Sequence, residues 1–326
     1  MKEIMINKPI MLAPLAGVTD AAFRIICEEN GADKTYTEMV SVNALLYDNK
    51  ATHEIMYRSD LEKNCNIQIF GNDPAIIEKV VKEKINPRDD FKEISFNMGC
   101  PAPKIFKNGQ GSALMGDIRK AQEIAKTLVD STDKIVNIKF RLGIDENSIN
   151  YIDFGKALED AGVDYVILHA RTRDQQYSGK ANWDDIRKLK EALSIPVVAN
   201  GDCFSVEDYI KIIETTSADG VMIARGAMGN PFIFRQIKDY LKGEKIKDPT
   251  YDDILDIIKR QYDLSLTYKE ERIVINQMRK HVGWYIKGLP QAASYRDRVN
   301  KLRTSEEIFD LLDEYRKYLE DNYDRK

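Results

Sequence analysis

The sequence predicts an α/β protein: a (β/α)8 TIM barrel followed by a smaller all-helical C-terminal domain. Short, apolar, β-rich runs alternate with helical patterns over roughly the first 235 of 326 residues, and there are eight such runs. No G-x-G-x-x-G follows the first run, which counts against a dinucleotide-binding doubly wound sheet. Beyond about residue 242 the strand pattern stops and only helical spacing remains.

The strand runs are 10–14, 34–38, 66–70, 93–97, 135–141, 165–169, 196–199 and 220–224. The first is followed by a helical pattern over 20–29, with Thr19 or Asp20 as N-cap. The third closes on Gly71-Asn72-Asp73-Pro74 and leads into 75–83, Pro74 suiting the first helical turn. Helices at 118–129, 152–160, 183–193 and 206–214 follow the next four runs. The hinge 242–250 carries Gly243 and Pro249, and it divides the chain into 1–241 and 242–326. Helical segments are expected at 252–264, 271–287, 295–301 and 305–318, the last with a capped start at Ser305-Glu306-Glu307. Periodicity alone leaves an open doubly wound sheet as the alternative.

The net charge of −4 makes nucleic-acid binding dependent on a local basic patch. Cys27, Cys65, Cys100 and Cys203 are far apart and form no C-x-x-C pair, so no metal site or disulfide framework is expected. Reduced thiols point to a cytoplasmic protein. Residues 1–17 are broken by Pro9, Pro14 and Gly17 and read as a buried strand rather than a leader, and no apolar run is long enough to span a membrane. A monomer is the default expectation.

Ligand chemistry in a barrel gathers where the strands end. In order, these exits carry Pro14-Leu15-Ala16-Gly17, Glu38, Gln68, Asn97 with Cys100, Lys139 with Arg141, His169 with Arg171, Asn200-Gly201-Asp202, and Ala224-Arg225-Gly226. Taken singly, Lys139 could be a snorkelling or ion-paired side chain, His169 a satisfied core histidine, and Gln68 a partner for backbone groups. Their shared place in the repeat argues for a site. The last two exits offer glycines, amide donors and one guanidinium, a combination that suits a phosphate-bearing cofactor. Cys100 lies on a Gly/Pro-rich loop just past a strand, where a thiol can attack, donate a proton or merely pack.

Several spaced motifs together carry a resemblance. Met11-Leu12-Ala13-Pro14-Leu15-Ala16-Gly17-Val18-Thr19-Asp20, Gln68-Ile69-Phe70-Gly71 and Asn97-Met98-Gly99-Cys100-Pro101 resemble the tRNA-dihydrouridine synthase family. So do Gly109-Gln110-Gly111-Ser112-Ala113-Leu114-Met115, His169-Ala170-Arg171-Thr172-Arg173 and Asn200-Gly201-Asp202, while Tyr177-Ser178-Gly179-Lys180-Ala181-Asn182-Trp183 is most similar to the bacterial B-type branch. The resemblance implies an FMN-dependent reduction of the C5=C6 bond of selected tRNA uridines, with NADPH as electron source. It implies flavin contacts from Pro14, Leu15, Ala16, Gln68, Lys139, His169, Asn200, Gly201, Asp202, Ala224 and Arg225. Hydride would reach C6 from reduced flavin, and Cys100 would protonate C5 on a loop free to close over the base. A neutral thiol suits that role, its ordinary pKa being about 8.5. Asn97 and Arg171 would meet the substrate. Leu15 stands where the family often has Met and Ala170 where Gly is common, and neither change removes a functional group.

A stacked uridine must be extruded from folded RNA to reach such a pocket. Residues 279–303 carry Arg279, Lys280, Lys287, Arg296, Arg298, Lys301 and Arg303 against Asp297 alone, with Trp284, Tyr285 and Tyr295 interleaved. Such a run is ordinarily a solvated helix face. Its local excess and its aromatics favour RNA contact, with Arg279, Lys280, Arg296 and Arg298 as candidates. The competing readings are a flavin barrel acting on a free pyrimidine, resembling dihydroorotate dehydrogenase, and a non-catalytic tRNA-binding protein.

Overall fold

The computed structural model describes residues 8–323. The first seven and last three residues, assigned above to the barrel's leading segment and the helical end, lie outside the described residues. Nine strands form one all-parallel sheet: β1 (Ile10–Leu12), β2 (Thr35–Tyr36), β3 (Val40–Ser41), β4 (Cys65–Phe70), β5 (Glu93–Asn97), β6 (Ile135–Arg141), β7 (Tyr165–His169), β8 (Val197–Asn200) and β9 (Gly220–Ile223). Their order is β1-β9-β8-β7-β6-β5-β4-β2, and a parallel bridge from Met11 to Lys34 joins β1 to the start of β2. The amide of Leu12 reaches the Lys34 carbonyl at 2.9 Å there, so the sheet closes into a barrel.

The second predicted strand, 34–38, is shortened to β2, and β3 follows it as a further strand. β2 pairs with Cys65 and Asn66 of β4, and β3 pairs with Ile69 and Phe70. Between them Thr37 turns its hydroxyl to accept from the Gln68 amide at 3.1 Å, and Glu38 accepts from the Gly17 amide at 2.5 Å. Side chains take over the ladder at that break.

Period-two alternation sorts the strands into two layers. Met11, Tyr36, Tyr165, Ile167, Val198 and Met222 face inward and fill the barrel, while Ile10, Leu12, Val166, Leu168, Val221 and Ile223 face the helices. The lower end of the interior is plugged by Tyr36 and Tyr165, whose hydroxyls lie 2.6 Å apart beside the Glu93 carboxylate. This buried polar plug leaves ligand access to the upper end.

Asp20 caps the helix Ala21–Glu29, and Asp73 caps Pro74–Val80 with Pro74 in its first turn. The latter helix continues as a wider π-type turn over Val81–Ile85. Two short helices, Val42–Leu46 and Lys50–Ile55, were not anticipated. After the helix Phe232–Leu241, the tail forms Tyr251–Leu266, Glu271–Tyr285, Ala292–Val299 and Ser305–Asn322. The last helix is capped one residue earlier than expected, by Thr304 in a capping box with Glu307. The tail docks on the first barrel helix. Tyr268 accepts from the Ala22 amide at 3.0 Å and stacks on Tyr57 at 4.6 Å, Lys269 pairs with Asp20, and Arg260 pairs with Glu29 at 2.8 Å.

Candidate active site

The strand exits surround an open cup of about 160 Å³. Register builds its wall. Asn97 lies beside Lys139, and Arg141, His169, Asn200 and Met222 form one row across β6 to β9. The rim comes from the loops holding Pro14, Leu15 and Ala16, Gly99 to Pro101, Tyr177, Gly201 to Phe204, and Ala224 to Gly226. At Gly226 a Cβ would lie 2.0 Å from the Cys203 carbonyl oxygen, so the loops after β8 and β9 can meet only through glycine.

The charge in this cup is positive and largely uncompensated. Burial, reinforced by the Arg141 cation, pushes the Lys139 ammonium down to about 7. Burial and the cations of Lys139, Arg141, Arg171 and Arg225 hold the His169 imidazole neutral, well below its ordinary range. Neither side chain has a hydrogen-bonded or ion-paired partner among the described residues. Arg225 is braced by Asp202 at 3.0 Å and lies over the rings of Tyr177 and Phe204, at 4.9 and 5.5 Å. Burial would raise the Asp202 carboxyl, but Arg171, the Ala181 amide and Arg225 outweigh it and keep it ionised. An ammonium at this half-buried place with no counter-ion is costly. Such a group is stabilised by an anionic or electron-rich ligand.

Cys100 stands at the rim, half-buried. Burial raises its thiol, against the Ala102 amide and the nearby Arg141 and Lys139 cations. It is therefore protonated at neutral pH. Its loop has fixed partners. The Cys100 amide donates to Asn97 Oδ1 at 2.8 Å, its carbonyl accepts from the Ser112 hydroxyl at 2.8 Å, and the Gly99 carbonyl accepts from Arg141 at 2.7 Å. Gly111 runs so close that a Cβ there would sit 3.0 Å from the Cys100 oxygen, at a φ of +60°. These contacts fix the backbone on either side of the thiol.

Of the expected cofactor contacts, Pro14, Leu15, Ala16, Lys139, His169, Asn200, Gly201, Asp202, Ala224 and Arg225 line the cup, and Gln68 does not. Gln68 is fully buried beneath it, donating to Ser95 Oγ at 3.1 Å and accepting from Asn97 Nδ2 at 2.9 Å. Asn97 reaches the cup, but its amide is engaged at both ends. Arg171 is 1% exposed and lies behind the wall, bonded to the Ser178 and Gly179 carbonyls and Asp202. Its Nε and Nη2 brace the loop after β7, while its buried Nη1 has no hydrogen-bond partner among the described residues. Met39, Tyr177, Cys203 and Phe204 line the cup without having been expected as contacts. Phe204 had a signal, an aromatic immediately after Gly201-Asp202-Cys203.

The four tail cations separate. Lys280 donates to the Gly17 carbonyl in the loop after β1. Arg279 caps the Leu302 carbonyl at 2.9 Å, and Arg298 forms a two-pronged pair with Glu314 at 2.5 and 2.6 Å. Arg296 is exposed, as are Lys287, Lys301 and Arg303, and none of these four side chains has an ion pair among the described residues.

A parallel barrel with an anion-seeking cup at its strand exits and a protonated thiol on the rim defines a barrel enzyme of the redox or addition type. Residues 11–321 match the family model described as dihydrouridine synthase, and the chain belongs to that family. It is 38% identical over 314 residues to a probable tRNA-dihydrouridine synthase 1 of Synechocystis, covering 96% of this chain and 87% of that protein. It is 36% identical over 299 residues to tRNA-dihydrouridine synthase B of Pseudomonas aeruginosa, covering 91% and 89%. Among solved structures, histamine dehydrogenase from Rhizobium sp. 4-9 superposes with a TM-score of 0.52 at 15% identity, over 79% of this chain and 49% of that one. That likeness reflects the shared barrel. No helix among the described residues is long and apolar enough to cross a membrane.

Proposed function

We propose that this chain reduces the C5=C6 bond of uridines in tRNA, with FMN held in the cup and NADPH as the source of electrons. The observation that carries the reading is that an unpartnered Lys139, a neutral His169 and the protonated Cys100 thiol line one cup. The donor set fits an anionic flavin. Arg225 and the backbone of the loops after β8 and β9 suit its phosphate, and Lys139 and His169 suit the electron-rich edge of its ring. When bound, reduced FMN would supply the hydride that goes to C6 of the uracil.

Cys100 then gives its proton to C5, leaving a thiolate that the Arg141 and Lys139 cations stabilise. Asn97 holds the Cys100 amide, so its role is to fix the acid rather than to bind the base. The exposed cations Lys287, Arg296, Lys301 and Arg303 are among the tail groups free to meet phosphates. Residues 242–326 accordingly serve as the RNA-holding domain of a cytoplasmic monomer, and 1–241 as the catalytic one.

Purified protein tests this directly. It should carry a chromophore absorbing near roughly 450 nm that is released by denaturation with the mass of FMN. With NADPH it should convert uridine to dihydrouridine in an unmodified tRNA transcript. Colourless protein that no flavin reconstitutes, or flavoprotein inert on tRNA and active on free pyrimidines, would overturn the reading.

A further inference from the structure

Arg141 is the one guanidinium in the cup wall whose resolved bonds all go to backbone carbonyls, and those carbonyls belong to two different loops. Its Nε donates to Gly99 O at 2.7 Å, one residue before the thiol. Its Nη1 donates to Thr172 O at 2.8 Å and Gln176 O at 3.1 Å, in the loop after β7. The side chain is 3% exposed, and burial depresses its pKa to about 10. A second tie joins the same loops. The Arg173 guanidinium lies 4.1 Å from the ring of Phe106, in the helix Pro103–Lys107 that follows Cys100 directly.

We propose that Arg141 is the positioning residue of the proton donor, its planar fork binding the Cys100 loop to the loop after β7, with Arg173 on Phe106 as the lesser tie. The inference rests on the reading of Cys100 as the acid. A fork spans carbonyls on two sides of itself, whereas an ammonium on a flexible stem is a point donor. Geometry as well as charge is therefore what this position requires. Proton transfer is sensitive to placement at about the 1 Å level, where a shift costs on the order of 10²-fold.

The test compares flavin-loaded wild type with Arg141→Lys and Phe106→Ala by hydrogen exchange and steady-state kinetics. In Arg141→Lys, exchange should rise in 97–112 and in 171–178 but not in 251–285. Its kcat should fall by about 30-fold while KM for tRNA stays within about twofold and flavin absorbance is kept. Phe106→Ala lies away from the cup and should raise exchange in the Cys100 loop with a kcat loss of about threefold. It decides the matter if Arg141→Lys fails to fold. Wild-type exchange in both variants, full rescue of kcat by Lys, or a change confined to KM would overturn the proposal. A wild-type enzyme inert on tRNA would sink the functional reading instead, and the exchange data would still judge the tie.

Discussion

The barrel cup and the helical tail are both rich in cations, and they hold them in opposite ways. In the cup, half-buried Lys139 and buried His169 are unpartnered and surrounded by other positive groups. In the tail, Arg298 is neutralised by Glu314 and Arg279 caps a carbonyl, while Lys287, Arg296, Lys301 and Arg303 lie in water. Exposed charge costs little and by itself implies little. Charge withdrawn from water without a partner is expensive, and an anionic ligand offsets that cost. The two regions therefore suggest a fixed, high-affinity anion in the cup and a screened, salt-sensitive polyanion on the tail.

The largest effect expected is at Cys100. Cys100→Ala should keep flavin and tRNA affinity and lose about 10²- to 10⁴-fold in dihydrouridine formation, read in single turnovers. Next is the tail. Replacing Lys287, Arg296, Lys301 and Arg303 together by alanine should weaken tRNA binding and reduce the slope of log K against log salt by about 3, with the flavin spectrum unchanged. An unchanged slope would place the RNA elsewhere.

A smaller effect concerns pH. Lys139 is depressed in the fold, so the unfolded chain binds more protons between about pH 7 and the ordinary lysine value. Its penalty is fully present below pH 7 and disappears as pH rises through that window. Flavin-free wild type should therefore gain in Tm from pH 7 to 9 relative to Lys139→Met, and bound flavin should remove the difference. The smallest effect is at Arg298. Arg298→Ala breaks an exposed ion pair and should change stability by under about 1 kcal/mol and tRNA affinity hardly at all.

The strands were legible because each is buried on both faces and reads as an apolar run. The break between β2 and β3 was not, since it depends on Glu38 meeting a glycine amide from the loop after β1. The helices Val42–Leu46 and Lys50–Ile55 are too short to show a period and stand on the Ser41 and Asn49 caps. In the site, Lys139, His169 and Arg225 were legible from position in the repeat. Whether Gln68 or Arg171 faces the cup depends on partners remote in sequence, Ser95 and Asn97 for one, Ser178, Gly179 and Asp202 for the other. The sign of the tail's charge was plain, but its pairing was not, because Glu314 lies on the next helix.

The most direct test of the central claim is the dihydrouridine content of tRNA from cells lacking this chain, complemented with wild type or with Cys100→Ala. The account predicts that dihydrouridine disappears at a defined subset of tRNA positions, returns with wild type and does not return with Cys100→Ala. Full dihydrouridine at every position in the deletion strain, with no second family member in that cell, would contradict it.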